Sequence, residues 1–186
     1  MRYSRLSDIY KKLEGTTKKL EKRDILADLY KETPNGQLYK VVLLSIGILG
    51  DIDLGIAKEM MRRVITKTYG ISENEVVKKF KETGDLGLTA EFFAHHRKQR
   101  TLAKKDLTVD HVFENLQRLP EITGQGSQEK KISLVSELLS HASGEEARYI
   151  VRTVLGDMRI GVAHGIVRDA VAKAFDQEPK EVENVW

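Results

Sequence analysis

Leu49 to Tyr69 reads LGDIDLGIAKEMMRRVITKTY, and Leu155 to Phe175 reads LGDMRIGVAHGIVRDAVAKAF. Leu49/Leu155, Gly50/Gly156, Asp51/Asp157, Gly55/Gly161, Ala57/Ala163, Arg62/Arg168 and Lys67/Lys173 coincide in register. Most other positions exchange one apolar residue for another. Self-similarity at a fixed spacing marks a repeated supersecondary unit. The likeness extends upstream, where Asp24-Ile25-Leu26-Ala27-Asp28-Leu29-Tyr30 parallels Ser133-Leu134-Val135-Ser136-Glu137-Leu138-Leu139, and downstream, where Glu75-Val76 matches Glu181-Val182. The expectation is one domain over 1–186 with lobe-like repeats at about 20–80 and 128–186. Each repeat would hold a helix, a turn, a second helix, a glycine-bounded loop such as Gly50 to Gly55, and a third helix, with the pair packed about a pseudo-twofold axis. The competing account is chance similarity between two amphipathic helices.

The periodicity around these repeats is helical throughout. Leu6, Ile9, Tyr10 and Leu13, then Ile25, Leu26, Leu29 and Tyr30, recur at i, i+3 and i+4. Alternation of the kind a half-buried strand needs is absent. Thr33-Pro34 reads as a cap and first-turn proline, and Ser72-Glu73-Asn74-Glu75 and Ser143-Gly144-Glu145-Glu146 read as capping boxes. About ten short helices in an all-α domain are predicted. Because the second repeat stops at Trp186, where the first has Phe80, the chain reads as a piece of something longer.

Composition excludes several function classes. With no cysteine, disulfides and thiolate metal sites are ruled out. The five histidines, His95, His96, His111, His141 and His164, form no metal-ligand spacing. The apolar run from Val41 to Leu44 breaks at Ser45 and is too short for a membrane span, and Met1-Arg2-Tyr3-Ser4 opens no signal-peptide core, so an intracellular protein is expected. Net charge is only +3, so the placement of cations matters more than their sum. Arg97, Lys98, Arg100, Lys104 and Lys105 cluster without an acidic residue between them, as a phosphate-binding patch or a solvated helix end.

Two further segments could meet an anion. Gly124-Gln125-Gly126-Ser127-Gln128-Glu129-Lys130-Lys131 places two glycines and a serine before an apolar helix, with two lysines following. Exposed backbone N–H groups at a helix start suit a phosphate, although an ordinary N-capped turn has the same signature and the spacing is not that of a Walker A loop. Gly156-Asp157-Met158-Arg159-Ile160-Gly161 sets Arg159 between two glycines that permit close backbone approach. The same loop could instead be a tight interhelical crossing with Arg159 paired to Asp157. No nucleophile elbow or paired-carboxylate motif appears.

The stretch from Lys98 to Phe175 resembles the amino-terminal DNA-binding domain of ATP-dependent DNA ligases, in the archaeal type related to eukaryotic replicative enzymes. The residues carrying the likeness are Gly126-Ser127-Gln128 with Lys130-Lys131, Glu146-Ala147-Arg148-Tyr149 with Arg152, and Met158-Arg159-Ile160-Gly161-Val162-Ala163. MRYSRLSDIYKKLE at the start and Gly84-Asp85-Leu86-Gly87 extend it over the whole chain. The resemblance implies an all-α domain that lies across the minor groove of duplex or nicked DNA, in replication and repair. It implies contacts from Gly124, Gly126, Ser127, Gln128, Lys130, Lys131, Gly156, Arg159 and Gly161, with Arg97, Lys98 and Arg100 in the basic patch. It assigns sealing, with ATP and Mg2+, to other ligase domains, whose Lys-x-Asp-Gly motif carries the adenylylated lysine. Lys104-Lys105-Asp106-Leu107 is the nearest string here and lacks that glycine, so no catalytic residue is expected in this chain. Partners implied are the catalytic domains of the same ligase and a sliding clamp, although Gln99-Arg100-Thr101-Leu102-Ala103 has none of the paired aromatics a clamp pocket takes. The alternative reading is a helical-repeat scaffold that binds proteins through an apolar groove between its lobes.

Overall fold

A computed structural model describes residues 1–47, 53–97 and 106–183. The described residues form eleven α-helices: α1 (Tyr3–Glu14), α2 (Lys19–Glu32), α3 (Asn35–Ile46), α4 (Lys58–Tyr69), α5 (Glu73–Thr83), α6 (Leu86–His96), α7 (Val109–Gln117), α8 (Ser127–His141), α9 (Gly144–Val154), α10 (His164–Ala174) and α11 (Pro179–Glu183). The all-α expectation holds. Among the described residues the only bridge pairing is an isolated one between Arg2 and Thr108, which ties the chain start to the turn before α7.

Local chemistry sets the boundaries. Both capping boxes form: Ser72 accepts from the Glu75 N–H at the start of α5, Ser143 accepts from the Glu146 N–H at the start of α9, and each glutamate reaches back to its serine N–H. Two other expected starts shift. Thr33 ends α2, its hydroxyl donating to the Leu29 carbonyl 2.7 Å away, so Pro34 occupies the N-cap of α3. A hydroxyl held by the preceding turn is no longer oriented to cap the next helix. Ser127 begins α8 without capping it, because Gly126, with φ 76°, takes the N-cap position.

The core is built on α9, whose residues from Glu146 to Val154 are nearly all buried except Arg148. Helix α6 lies closely along it, and α1 crosses it with the Tyr10 and Tyr149 ring centroids 5.0 Å apart. The apolar stripe of α1, Leu6, Ile9, Tyr10 and Leu13, is buried as its spacing predicts.

The repeats cross over one another. Helix α2, first in the first repeat, packs on α10, third in the second, and α8 packs on α4 in the converse arrangement. Each repeat therefore completes its packing with a helix borrowed from the other.

Candidate nucleic-acid interface

The glycine-bounded loops precede two helices with no side-chain cap. The first loop is described from Asp53, and leads through Gly55 to the α4 N-cap, Ala57; the second runs from Gly156 through Gly161 to the α10 N-cap, Ala163. Gly55 and Gly161 both adopt left-handed backbone, with φ 65° and 61°, which a side chain disfavours. Ala57, Lys58, Ala163 and His164 are exposed, so two helix starts present backbone N–H groups and small side chains to solvent.

One feature of each loop is fixed by a lysine from the other repeat. The Lys131 ammonium, on α8, donates to the Leu54 carbonyl at 3.1 Å. The Lys22 ammonium, on α2, donates to the Ile160 carbonyl. Each nitrogen occupies space that a Cβ on Gly55 or Gly161 would need. Lys22 is buried, and that burial pulls its pKa below the ordinary lysine value.

The loops differ in how they close. Asp53 accepts from the Gly55 N–H at 2.8 Å, an Asx-type turn confined to its own loop. Arg159, in the matching position, holds a left-handed φ of 56° and pairs with Asp157 at 2.9 Å and Asp85 at 3.4 Å. It also donates to the Gly84 carbonyl. Of the two readings of Arg159 open from sequence, the structure shows the paired one, with the side chain still 43% exposed. A cleft of about 270 Å³ separates the loops, with Ile56, Ala57 and Lys58 on one side and Asp157 and Arg159 on the other.

Beneath the cleft lies an ionic cluster, buried at Asp85 and Arg152 and open to solvent at Glu14. Asp85 caps α6 by accepting from Gly87 and Leu88, and takes Arg152 at 2.8 Å. Arg152 also reaches Glu14, which further accepts from Tyr149 and Arg148; Arg148 in turn pairs with Glu91 at 2.6 Å. Burial by itself would raise the Asp85 and Glu14 carboxyls. Hydrogen bonds and charge from Arg152 outweigh it and hold both below the usual carboxylate range. The Glu146-Ala147-Arg148-Tyr149 and Arg152 signature thus braces α1, α6 and α9 against one another.

The remaining sequence-selected residues are divided. Gly124 and Gly126, with φ 80° and 76°, turn the chain into α8, and Gln128 and Lys130 are exposed there. Lys130 and Lys58 have no ion pair or side-chain hydrogen bond among the described residues. Lys131 is committed to the loop around Gly55, so the start of α8 lies beside the first loop and Arg159 belongs to the second. Arg97 donates to the Ser140 carbonyl at the end of α8. Lys98, Arg100, Lys104, Lys105 and the Gln99 to Ala103 string lie outside the described residues, as do Gly50 and Asp51. Sequence reading missed Lys22, Lys58, Asp85 and Glu14. Lys22 had a usable signal, because carrying the Asp24/Ser133 register two residues upstream sets Lys22 opposite Lys131. Among the described residues no group of three or more His, Asp or Glu side chains could hold a metal ion, and no helix is long and apolar enough to cross a membrane.

Comparison with known proteins points one way. The family model described as DNA ligase N terminus matches residues 2–172. A DNA ligase of Methanothermobacter thermautotrophicus is 40% identical over 185 residues, covering 97% of this chain and 33% of that protein. DNA ligases of Thermococcus onnurineus, 37% identical over 190 residues, and Nanoarchaeum equitans, 40% identical over 190 residues, cover all of this chain and 34% and 33% of their own lengths. The chain spans about a third of the length of the curated relatives it matches.

Proposed function

Because the chain belongs to the DNA ligase N-terminus family, we propose that it is the non-catalytic DNA-binding module of an ATP-dependent ligase. It grips duplex DNA through phosphates and the minor groove so that catalytic domains elsewhere can seal a nick in replication and repair. The observation that carries this reading is the pairing of two exposed glycine turns across one cleft, with Lys58 lining it and Lys130 exposed at the α8 start, neither in an ion pair among the described residues. Small residues let a sugar–phosphate backbone approach, helix starts supply N–H donors, and free ammonium groups supply charge.

Gly124, Gly126, Ser127, Gln128 and Lys130 serve as phosphate contacts at the start of α8, and Gly156, Arg159 and Gly161 at the second loop. Arg159 reaches DNA by leaving Asp157 while keeping or exchanging Asp85. The bond-forming chemistry, with ATP and Mg2+, resides in partner domains of the ligase, since the 186 residues contain no Lys-x-Asp-Gly. A protein-docking groove is less well supported. Among the described residues only Leu20, Tyr39 and Phe175 are large apolar side chains left exposed, fewer than the aromatic-rich centre of a docking surface gathers.

Titration of a labelled nicked duplex at several salt concentrations tests the reading. Binding should show little sequence preference and weaken about 10²- to 10⁴-fold between about 50 and 200 mM salt, as several displaced counterions require. No binding at low salt, or salt-insensitive binding, contradicts it.

A further inference from the structure

Lys22 is a buried cation without an anion. The residue is 5% exposed on α2, its ammonium enters no ion pair among the described residues, and its bond goes to the Ile160 carbonyl of the second turn. Burying an ammonium that no carboxylate balances works against folding. What Lys22 contributes is therefore the geometry it imposes on the turn.

The bond to Ile160 fixes a peptide plane. None of the described peptide bonds is cis, and across a planar trans peptide the C=O and N–H point in opposite directions. With the Ile160 carbonyl drawn toward α2, the Gly161 N–H is turned away from it. Gly161 is exposed, and its N–H has no hydrogen-bond partner among the described residues.

The first turn is built alike and finished differently. Lys131 holds the Leu54 carbonyl, so the Gly55 N–H is also turned away, but there the Asp53 carboxylate accepts from it at 2.8 Å. In the second turn the position of Asp53 is taken by Arg159, a side chain with no acceptor. Asp53 thus marks where an anionic oxygen sits on such a turn, and the second turn leaves that place open while adding a cation.

We propose that Lys22 is a positioning residue for DNA binding: without touching DNA, it holds the Ile160–Gly161 peptide so that the Gly161 N–H meets a phosphate oxygen where the first turn has its own carboxylate. Setting the peptide beforehand spares the cost of ordering it when the phosphate arrives. The inference rests on the DNA-binding reading above.

Titration of the whole chain with a nicked duplex separates positioning from contact. Lys22→Met keeps the apolar stem and removes the ammonium. Binding should weaken about tenfold near 0.1 M salt, the scale of one hydrogen bond to a charged group, while the slope of log affinity against log salt keeps its wild-type value. A lysine that itself neutralised a phosphate would reduce that slope by about 0.9 when removed. The denaturation midpoint should change little, because a buried charge leaves together with its bond. A second reading needs no variant: in the isotopically labelled wild-type chain the Gly161 amide proton should move downfield as duplex is added, as a new bond to an anionic oxygen requires. Wild-type affinity in Lys22→Met, a slope reduced by about 0.9, or a Gly161 amide that stays still while the wild-type chain binds duplex overturns the role of Lys22 and leaves the DNA-binding reading standing. Failure of the wild-type chain to bind any duplex overturns both.

Discussion

Arg152 is the residue on which the ground under the cleft depends. Its side chain is 4% exposed and joins Asp85 to Glu14, so removing it leaves the buried Asp85 carboxylate with only the longer Arg159 contact at 3.4 Å. Breaking a buried pair from one side costs about 3–5 kcal/mol. Arg152→Met should therefore lower chemical-denaturation stability by that order while retaining helical circular dichroism at low denaturant; a loss under about 1 kcal/mol would show that the cluster contributes little. The same carboxylates give a pH dependence. Asp85 and Glu14 have depressed pKa values in the folded state, so their contribution is complete above the unfolded carboxylate value of about 4 and disappears as pH falls through the lower folded values. The melting temperature should fall through that acid window, and less steeply in Asp85→Asn, whose starting stability is already lower. Arg159 behaves differently because its backbone is left-handed and its guanidinium is half exposed. Arg159→Gly relieves about 1 kcal/mol of backbone strain, forfeits an exposed pair with Asp157 worth about 0–1 kcal/mol, and leaves the buried Asp85 its shorter pair with Arg152. Its stability should stay near wild type while duplex affinity drops, separating binding from folding; a large loss of stability would make Arg159 a structural latch alone.

Among the elements, α6 and α9 show two effects of opposite sign. Gly87 lies in the first turn of α6, where helix propensity favours alanine by about 0.5–1 kcal/mol. A Cβ there would stand 2.8 Å from the Arg148 carbonyl oxygen and 2.9 Å from the Arg152 Cγ. Backbone cannot move aside cheaply in a packed crossing, and overpacking costs about 1–3 kcal/mol. Gly87→Ala should therefore destabilise, as measured by denaturant midpoint; stabilisation would show that helix propensity outweighs the close approach of α6 to α9. Most elements were legible in sequence because their signals are local. The Ser72 and Ser143 boxes and the α1 stripe need only neighbours within one or two turns. Thr33 and Ser127 were misplaced for the complementary reason: a cap signature does not reveal whether the hydroxyl is claimed by the preceding helix or whether a glycine one position earlier can take the left-handed turn.

For the molecule as a whole, the repeated sequence announced two related units, and what it could not convey was which helix of one unit packs on which helix of the other. Nothing within Leu49–Tyr69 or Leu155–Phe175 specifies that α4 seeks α8 and α10 seeks α2; that choice is made by side chains far apart in the chain. The site suffered the same limit. Lys131 was legible as a cation near a helix start, but its commitment to Leu54, and the equivalent commitment of Lys22 to Ile160, exist only once the repeats interlock. The ionic cluster of Glu14, Asp85 and Arg152 likewise draws on three distant segments. The interlocked arrangement sets the α8 start beside the first glycine turn and that turn across a cleft from the second, the surface proposed to grip DNA. Amide chemical-shift mapping of the isotopically labelled chain against a nicked duplex reads that surface directly. Shifts should concentrate at Leu54 to Glu59, Gly124 to Lys130 and Arg159 to Gly165, with amides around Tyr39 and Phe113 unmoved; a perturbed cluster centred on Tyr39 and Phe113, with the two glycine turns silent, would contradict the account.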